Sequence, residues 1–171
     1  MLNIRLFPIA LLLMIYTATT LSSQSVNWLE VDEGAQLSVE KNKIMLIYFY
    51  TDWCGFCKRL DQITFEDSFV KAKLDSHFIP MKFNAELQDS IIFMETAYSF
   101  VQEGRRGHHG FAGVMLENRM SYPTLVYVDP SGKVLHRSPG YREPSVMLKE
   151  MEFIIDGHYL KQSWKQYKAS N

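Results

Sequence analysis

The sequence predicts an α/β domain built on a central mixed β-sheet flanked by helices, and three observations carry that expectation. Ile44-Met45-Leu46-Ile47-Tyr48-Phe49-Tyr50 is a continuous apolar and aromatic run, the pattern of a strand buried on both faces. Thr124-Leu125-Val126-Tyr127-Val128 is a second such run, followed by the turn Asp129-Pro130-Ser131-Gly132 and a return strand over Lys133 to Arg137. Stretches with helical spacing lie between and after these runs. One of them extends from Pro144 to Ile155, with its proline where the first helical residue would stand. A chain of 171 residues with this alternation describes one domain and a leading segment.

The leading segment is an address. Met1-Leu2-Asn3-Ile4-Arg5 carries one positive charge, Leu6 to Tyr16 (LFPIALLLMIY) is wholly apolar, and Thr17 to Ser23 is small and hydroxylic. A basic start, a short apolar centre and a small-residue exit describe a secretory signal over 1–23, cleaved near Ser22 or Ser23. The alternative is an uncleaved anchor, but the apolar run is interrupted by Pro8 and is short of the roughly 18 residues a span requires. The mature chain, 24–171, is therefore expected outside the inner membrane in a periplasm-like space, where thiols tend to be oxidised.

The remaining elements follow in order. Val26 to Val31 is a short strand candidate and Glu33 to Lys41 a helix. Thr51-Asp52-Trp53 ends the central strand, and Cys54 to Phe65 has Phe56, Leu60 and Ile63 at helical spacing. Asp67-Ser68 can cap a second helix through Leu74. Phe78 to Phe83 is a strand that tolerates Pro80 only at a sheet edge or a strand start. Ile91 to Val101 reads as a hairpin turning at Glu95-Thr96, with a helix as the alternative. Gly104 to Gly107 is a loop, and His108 to Asn118 is read as a helix. Arg105, Arg106, His108 and His109 then make a basic, solvated loop whose sharper reading is a partner-docking surface. His158 to Lys168 is amphipathic and reads as a helix.

Charge and motifs narrow the chemistry. Eighteen basic and nineteen acidic side chains argue against nucleic-acid binding by bulk electrostatics. P-loop, GxGxxG, HExxH and GxSxG patterns are absent. The two cysteines sit in Trp53-Cys54-Gly55-Phe56-Cys57-Lys58, directly after a buried strand and at the start of a helix. There the unsatisfied N–H groups and the helix dipole favour a thiolate on Cys54, with Cys57 one turn inward. A structural disulfide closing so short a loop would constrain the unfolded chain little. A zinc site needs a second ligand pair, and the adjacent His108-His109 lacks the usual spacing.

On WCGFCK after a strand, and Tyr122-Pro123 before another strand and hairpin, the chain resembles the thioredoxin family over nearly all of 24–171. The resemblance implies a thioredoxin-like fold with an insertion at about 87–119 before a cis-proline, Pro123. It is similar to secreted bacterial thioredoxin-like proteins, and its TDWC approach resembles the terminal domain of membrane reductant-relay proteins. Carried over residue by residue, the resemblance implies a redox-active Cys54–Cys57 pair with no organic cofactor and no resident metal. Tyr122, Pro123 and Gly140 would then border the substrate groove, and Lys82 would lie behind the cysteines. From the residues themselves, Trp53 and Phe56, on either side of Gly55, are read as an exposed apolar platform for the substrate, with packing in the core as the alternative.

Two departures from that family bear on mechanism. Tyr48 stands six residues before Cys54, where thioredoxins carry a buried Asp, so Lys82, Asp52 or water would have to accept the Cys57 proton. The central dipeptide is Gly-Phe, with no histidine beside Cys54, and a less stabilised thiolate is a weaker oxidant. The expected function is thiol–disulfide reduction or exchange on protein substrates, with a membrane reductant relay as donor. The alternative is a copper-handling or partner-binding module of the same fold, for which Met120 would be a soft third ligand.

Overall fold

The structure, a computed structural model, describes residues 25–104 and 106–170; the expected signal over 1–23 and Arg105 lie outside them. The first regular element is helix α1 (Val31–Lys41), whose opening turn carries Asp32 and Glu33, the charges a helix N-terminus favours. The strand expected over Val26 to Val31 reduces to one bridge between Leu29 and Met81, because Val31 already belongs to the helix.

Strand β1 (Ile44–Tyr50) spans the expected run. Helix α2 (Gly55–Arg59) follows and continues as a π-helical turn over Leu60–Thr64, so the expected Cys54–Phe65 helix is continuous in course but widens midway. Helix α3 (Ser68–His77) is capped by the Asp67 carboxylate, which accepts from the Phe69 and Val70 N–H groups at 3.0 Å each. Strand β2 (Phe78–Asn84) carries Pro80.

Between β2 and the next strand of the main sheet the chain builds two hairpins and a short helix. Strands β3 (Ile91–Phe93) and β4 (Thr96–Tyr98) form the first hairpin. Its turn residues are Met94 and Glu95, at φ 47° and 64°, one position earlier than expected. Two successive positive φ values suit the right-handed strand twist of a tight hairpin. Strands β5 (Phe100–Glu103) and β6 (Arg106–His109) form a second hairpin where a loop and a helix start were expected. Gly107 permits it, since a Cβ there would meet the Phe100 ring at 2.3 Å and the Val101 carbonyl at 2.6 Å. Helix α4 (Gly110–Met115) therefore begins two residues later than expected and is shorter.

Strands β7 (Thr124–Val128) and β8 (Val134–Pro139) flank the Asp129–Gly132 turn, and helix α5 (Pro144–Ile155) starts at its proline as expected. The last expected helix is divided: Gly157 at φ 68° precedes a 3-10 turn, His158–Leu160, and helix α6 (Trp164–Ser170) follows.

The main sheet runs β2-β1-β7-β8, with β1 parallel to β2 and antiparallel to β7. Edge position in β2 accommodates Pro80, which lacks the N–H a central strand would need. Side chains of β1 alternate across the sheet. Leu46 and Tyr48 pack with Cys57, Leu60, Leu125, Tyr127 and Met151 on one face. Met45, Ile47 and Phe49 pack with Ala35, Met81 and Phe111 on the other. Both faces are dry, which is why the strand reads as an unbroken apolar run.

Candidate functional site

The cysteines sit at the C-terminal end of β1, where the chain leaves the sheet and turns into α2. Cys54 is the N-cap of that helix, and its Sγ accepts the Cys57 N–H at 3.1 Å. The two form a disulfide with a Cα–Cα distance of 5.2 Å. The Cys57 N–H in the first turn of the helix thus points at the sulfur that would carry negative charge on reduction. Both cysteines are buried beneath their neighbours, Cys57 the more deeply.

Around this pair the surface is apolar and open. Trp53 and Phe56 are 67% and 61% exposed, so neither serves the core. Trp53 donates its indole N–H to the Glu86 carboxylate at 3.0–3.1 Å and meets the Tyr122 ring edge-on at 6.2 Å. The Tyr122–Pro123 peptide is cis. Burial, with the Glu86 charge adding to it, pushes the Tyr122 phenol up to about 12. It stays neutral and donates to the Met120 sulfur at 3.3 Å.

Gly140 lies across the same edge, and its N–H donates to the Pro123 carbonyl at 2.7 Å. Its φ of 90° is one that L side chains rarely adopt, so glycine is required by the backbone there. Gly55, the first residue of α2, has open space where a Cβ would stand. The structure thus joins Trp53 to Tyr122 by ring contact and Pro123 to Gly140 by a hydrogen bond.

Behind the cysteines, Tyr48 is fully buried and donates its hydroxyl to the Cys57 carbonyl at 3.1 Å. Burial, then the nearby Asp61 charge, pushes this phenol far above the usual tyrosine range. It remains protonated and cannot act as a base near neutral pH. Lys82 Nζ lies 5.2 Å from the Tyr48 ring centroid and 4.7 Å from that of Tyr50, and both Asp61 oxygens accept from it at 2.9 Å. Asp52 is instead exposed and accepts from the Asn84 amide at 3.1 Å. Asp61, the partner of Lys82, lies four residues after Cys57 in the π-helical turn that continues α2.

The basic-loop reading fails for the histidines. His109 is fully buried: its Nδ1 accepts the Phe111 N–H at 3.1 Å and its Nε2 lies 3.1 Å from the Asp89 carbonyl. Burial lowers its pKa, with the Asp89 hydrogen bond opposing and His108 adding to the effect. His108 is largely covered and lies 3.9 Å from the Glu103 carboxylate. Among the described residues, no group of three or more His, Cys, Asp or Glu side chains is placed to hold a metal ion.

Comparison with known proteins agrees with this geometry. Residues 31–155 match the family model described as a thioredoxin-like domain. A segment of 45 residues is 38% identical to the thiol:disulfide interchange protein DsbD of Ralstonia nicotianae, covering 26% of this chain and 7% of that protein's length. Among solved structures, a thioredoxin-fold protein from Helicobacter pylori superposes with TM-score 0.59 at 23% identity, over 75% of this chain and 82% of the other. A thioredoxin from Thermus thermophilus superposes with TM-score 0.60 at 19% identity, over 81% and 95%. At these identities the structural likeness speaks for the fold.

Proposed function

The chain belongs to the thioredoxin-like domain family, and from that premise we propose that it is a thiol–disulfide oxidoreductase acting on protein disulfides outside the cytoplasm. The observation that carries the reading is the Cys54–Cys57 disulfide at the N-terminus of α2, bordered by the exposed Trp53 and Phe56. In the reduced chain the Cys54 thiolate attacks one sulfur of a substrate disulfide and expels the other as thiolate. Cys57, deprotonated, then attacks the Cys54 sulfur, re-forming the Cys54–Cys57 bond and releasing the second substrate thiolate. Two electrons pass to the substrate, and the two cysteine protons balance its two new thiols.

Trp53, Gly55 and Phe56 offer an apolar platform for the region around the substrate disulfide. Tyr122, Pro123 and Gly140 border the groove in which its backbone is aligned. The Cys57 proton then goes to the Asp61 carboxylate held by Lys82, or to water, since Tyr48 is held neutral and Asp52 is bonded to Asn84 at the surface. The absence of a histidine beside Cys54 favours reduction or exchange over oxidation. A cleaved signal at 1–23 would deliver the chain to an oxidising space. A membrane reductant relay would then return the disulfide to the dithiol. The likeness of 45 residues to an interchange protein supports that pairing.

The test is non-reducing electrophoresis of extracts carrying Cys57→Ser or Cys54→Ser. Cys57→Ser is expected to accumulate covalent adducts that disappear on adding reductant, and Cys54→Ser to capture nothing. Absence of adducts with both, together with tight Cu(I) binding by the unaltered chain, would replace this reading with the metal-handling one.

A further inference from the structure

Away from the sulfurs, the segment Gly140–Glu143 bridges the two halves of the site. Toward the cysteine helix, the Thr64 hydroxyl donates to the Arg142 carbonyl at 2.5 Å, the Arg59 guanidinium lies 4.7 Å over the Tyr141 ring, and Arg59 pairs with Glu143 at 3.4 Å. Toward the proline, Gly140 N–H holds the Pro123 carbonyl. What fixes the segment itself is the Arg142 side chain, whose Nη1 donates to its own neighbours' carbonyls, Tyr141 at 3.1 Å and Gly140 at 3.5 Å.

Arg142 in turn faces a buried acid. Glu150 on α5 has no exposed surface, and its Oε2 lies 3.7 Å from Arg142 Nε. Its other oxygen, Oε1, stands 2.8 Å from His136 Nε2 on β8. The register of β7 and β8 sets Tyr127 opposite His136, so the Tyr127 phenol lies in the same layer, under the influence of both Glu150 and Arg142. A carboxylate with no access to water is costly unless charged or hydrogen-bonding partners face it. Here those partners are one cation in the groove segment and one histidine in the sheet.

We propose that Glu150 is a positioning residue for the substrate groove: through Arg142 it sets the Gly140–Glu143 segment, and hence the placement of the Pro123 edge relative to the cysteine helix. This rests on the oxidoreductase reading, but adds that selectivity for extended peptide substrates is held from α5, which packs on the same face of the sheet as the cysteine helix. Glu150 touches neither sulfur. Its loss would loosen the alignment of a substrate backbone while leaving the chemistry of Cys54 with a small disulfide in place.

The experiment compares kcat/KM of the full chain toward a peptide disulfide and toward bis(2-hydroxyethyl) disulfide, which has no backbone to align. Glu150→Gln is expected to lower the peptide-to-small-disulfide ratio about tenfold, chiefly through KM. Arg142→Met, at a side chain that reaches solvent, should lower it similarly and serves if Glu150→Gln does not fold. An unchanged ratio, or an equal fall with both disulfides, overturns the positioning role. An unaltered chain that exchanges neither disulfide defeats the oxidoreductase reading and this inference with it.

Discussion

The Tyr48 hydroxyl donates to the Cys57 carbonyl at 3.1 Å, tying the central strand to the cysteine helix where thioredoxins place a carboxylate. The ring is enclosed by Trp28, Tyr50 and Phe65, with centroids 5.3–5.8 Å away. Tyr48 is thus a structural anchor under the site, and its proton stays in place. Tyr48→Phe keeps the ring and leaves the Cys57 carbonyl without this donor. It is expected to cost about 1 kcal/mol in urea unfolding of the oxidised chain. Little change in the rate of mixed-disulfide release should accompany it, and a large slowing would return the phenol to the proton path.

If the Lys82–Asp61 pair accepts the Cys57 proton, Asp61→Asn should slow release of the mixed disulfide more than its formation. Stopped-flow tryptophan fluorescence separates the two steps, because Trp53 borders the cysteines. The ion pair is roughly a third exposed and still screened by water, so little stability, about 1 kcal/mol, should go with it. Equal slowing of both steps would point to a disturbed helix instead.

Stability should fall as pH drops, and His109 should account for part of the fall. Its folded pKa lies below the ordinary value, so the unfolded chain takes up the proton first and is favoured. The loss begins as pH falls through about 6.5 and ends below the folded pKa. Protonation at Nδ1 would also oppose the Phe111 N–H that this atom accepts. His109→Asn, which can cap α4 without titrating, should flatten the profile between about pH 7 and 5. An unaltered slope in urea titrations would assign the dependence to other groups.

The opposite face of the sheet offers a packing test remote from the cysteines. A Cβ at Gly34 would stand 2.4 Å from the Met81 sulfur. Gly34→Ala gains helix propensity, yet is expected to lose about 1–3 kcal/mol to overpacking, read as a lowered thermal midpoint. A raised midpoint would mean that Met81 yields freely.

By itself the sequence determined whatever depends on neighbours along the chain. The unbroken run Ile44–Tyr50 required a strand covered on both faces, and Pro144 marked the start of α5. The CxxC set after a strand placed the chemistry at a helix N-terminus. Tertiary structure decided the remainder. The second hairpin depends on Gly107 clearing the Phe100 ring, a cross-strand contact that no local pattern signals. His108 and His109 read as solvated because they adjoin arginines, but His109 is buried by the fold of Phe83 and Phe111 around it. Arg142 and Glu150 are ordinary surface-type residues in sequence, and they acquire a role only where α5 crosses the sheet behind the groove segment. Local periodicity reports which side of an element is apolar. Which charge ends up facing which depends on how distant elements pack, and that information resides in the assembled sheet and its helices.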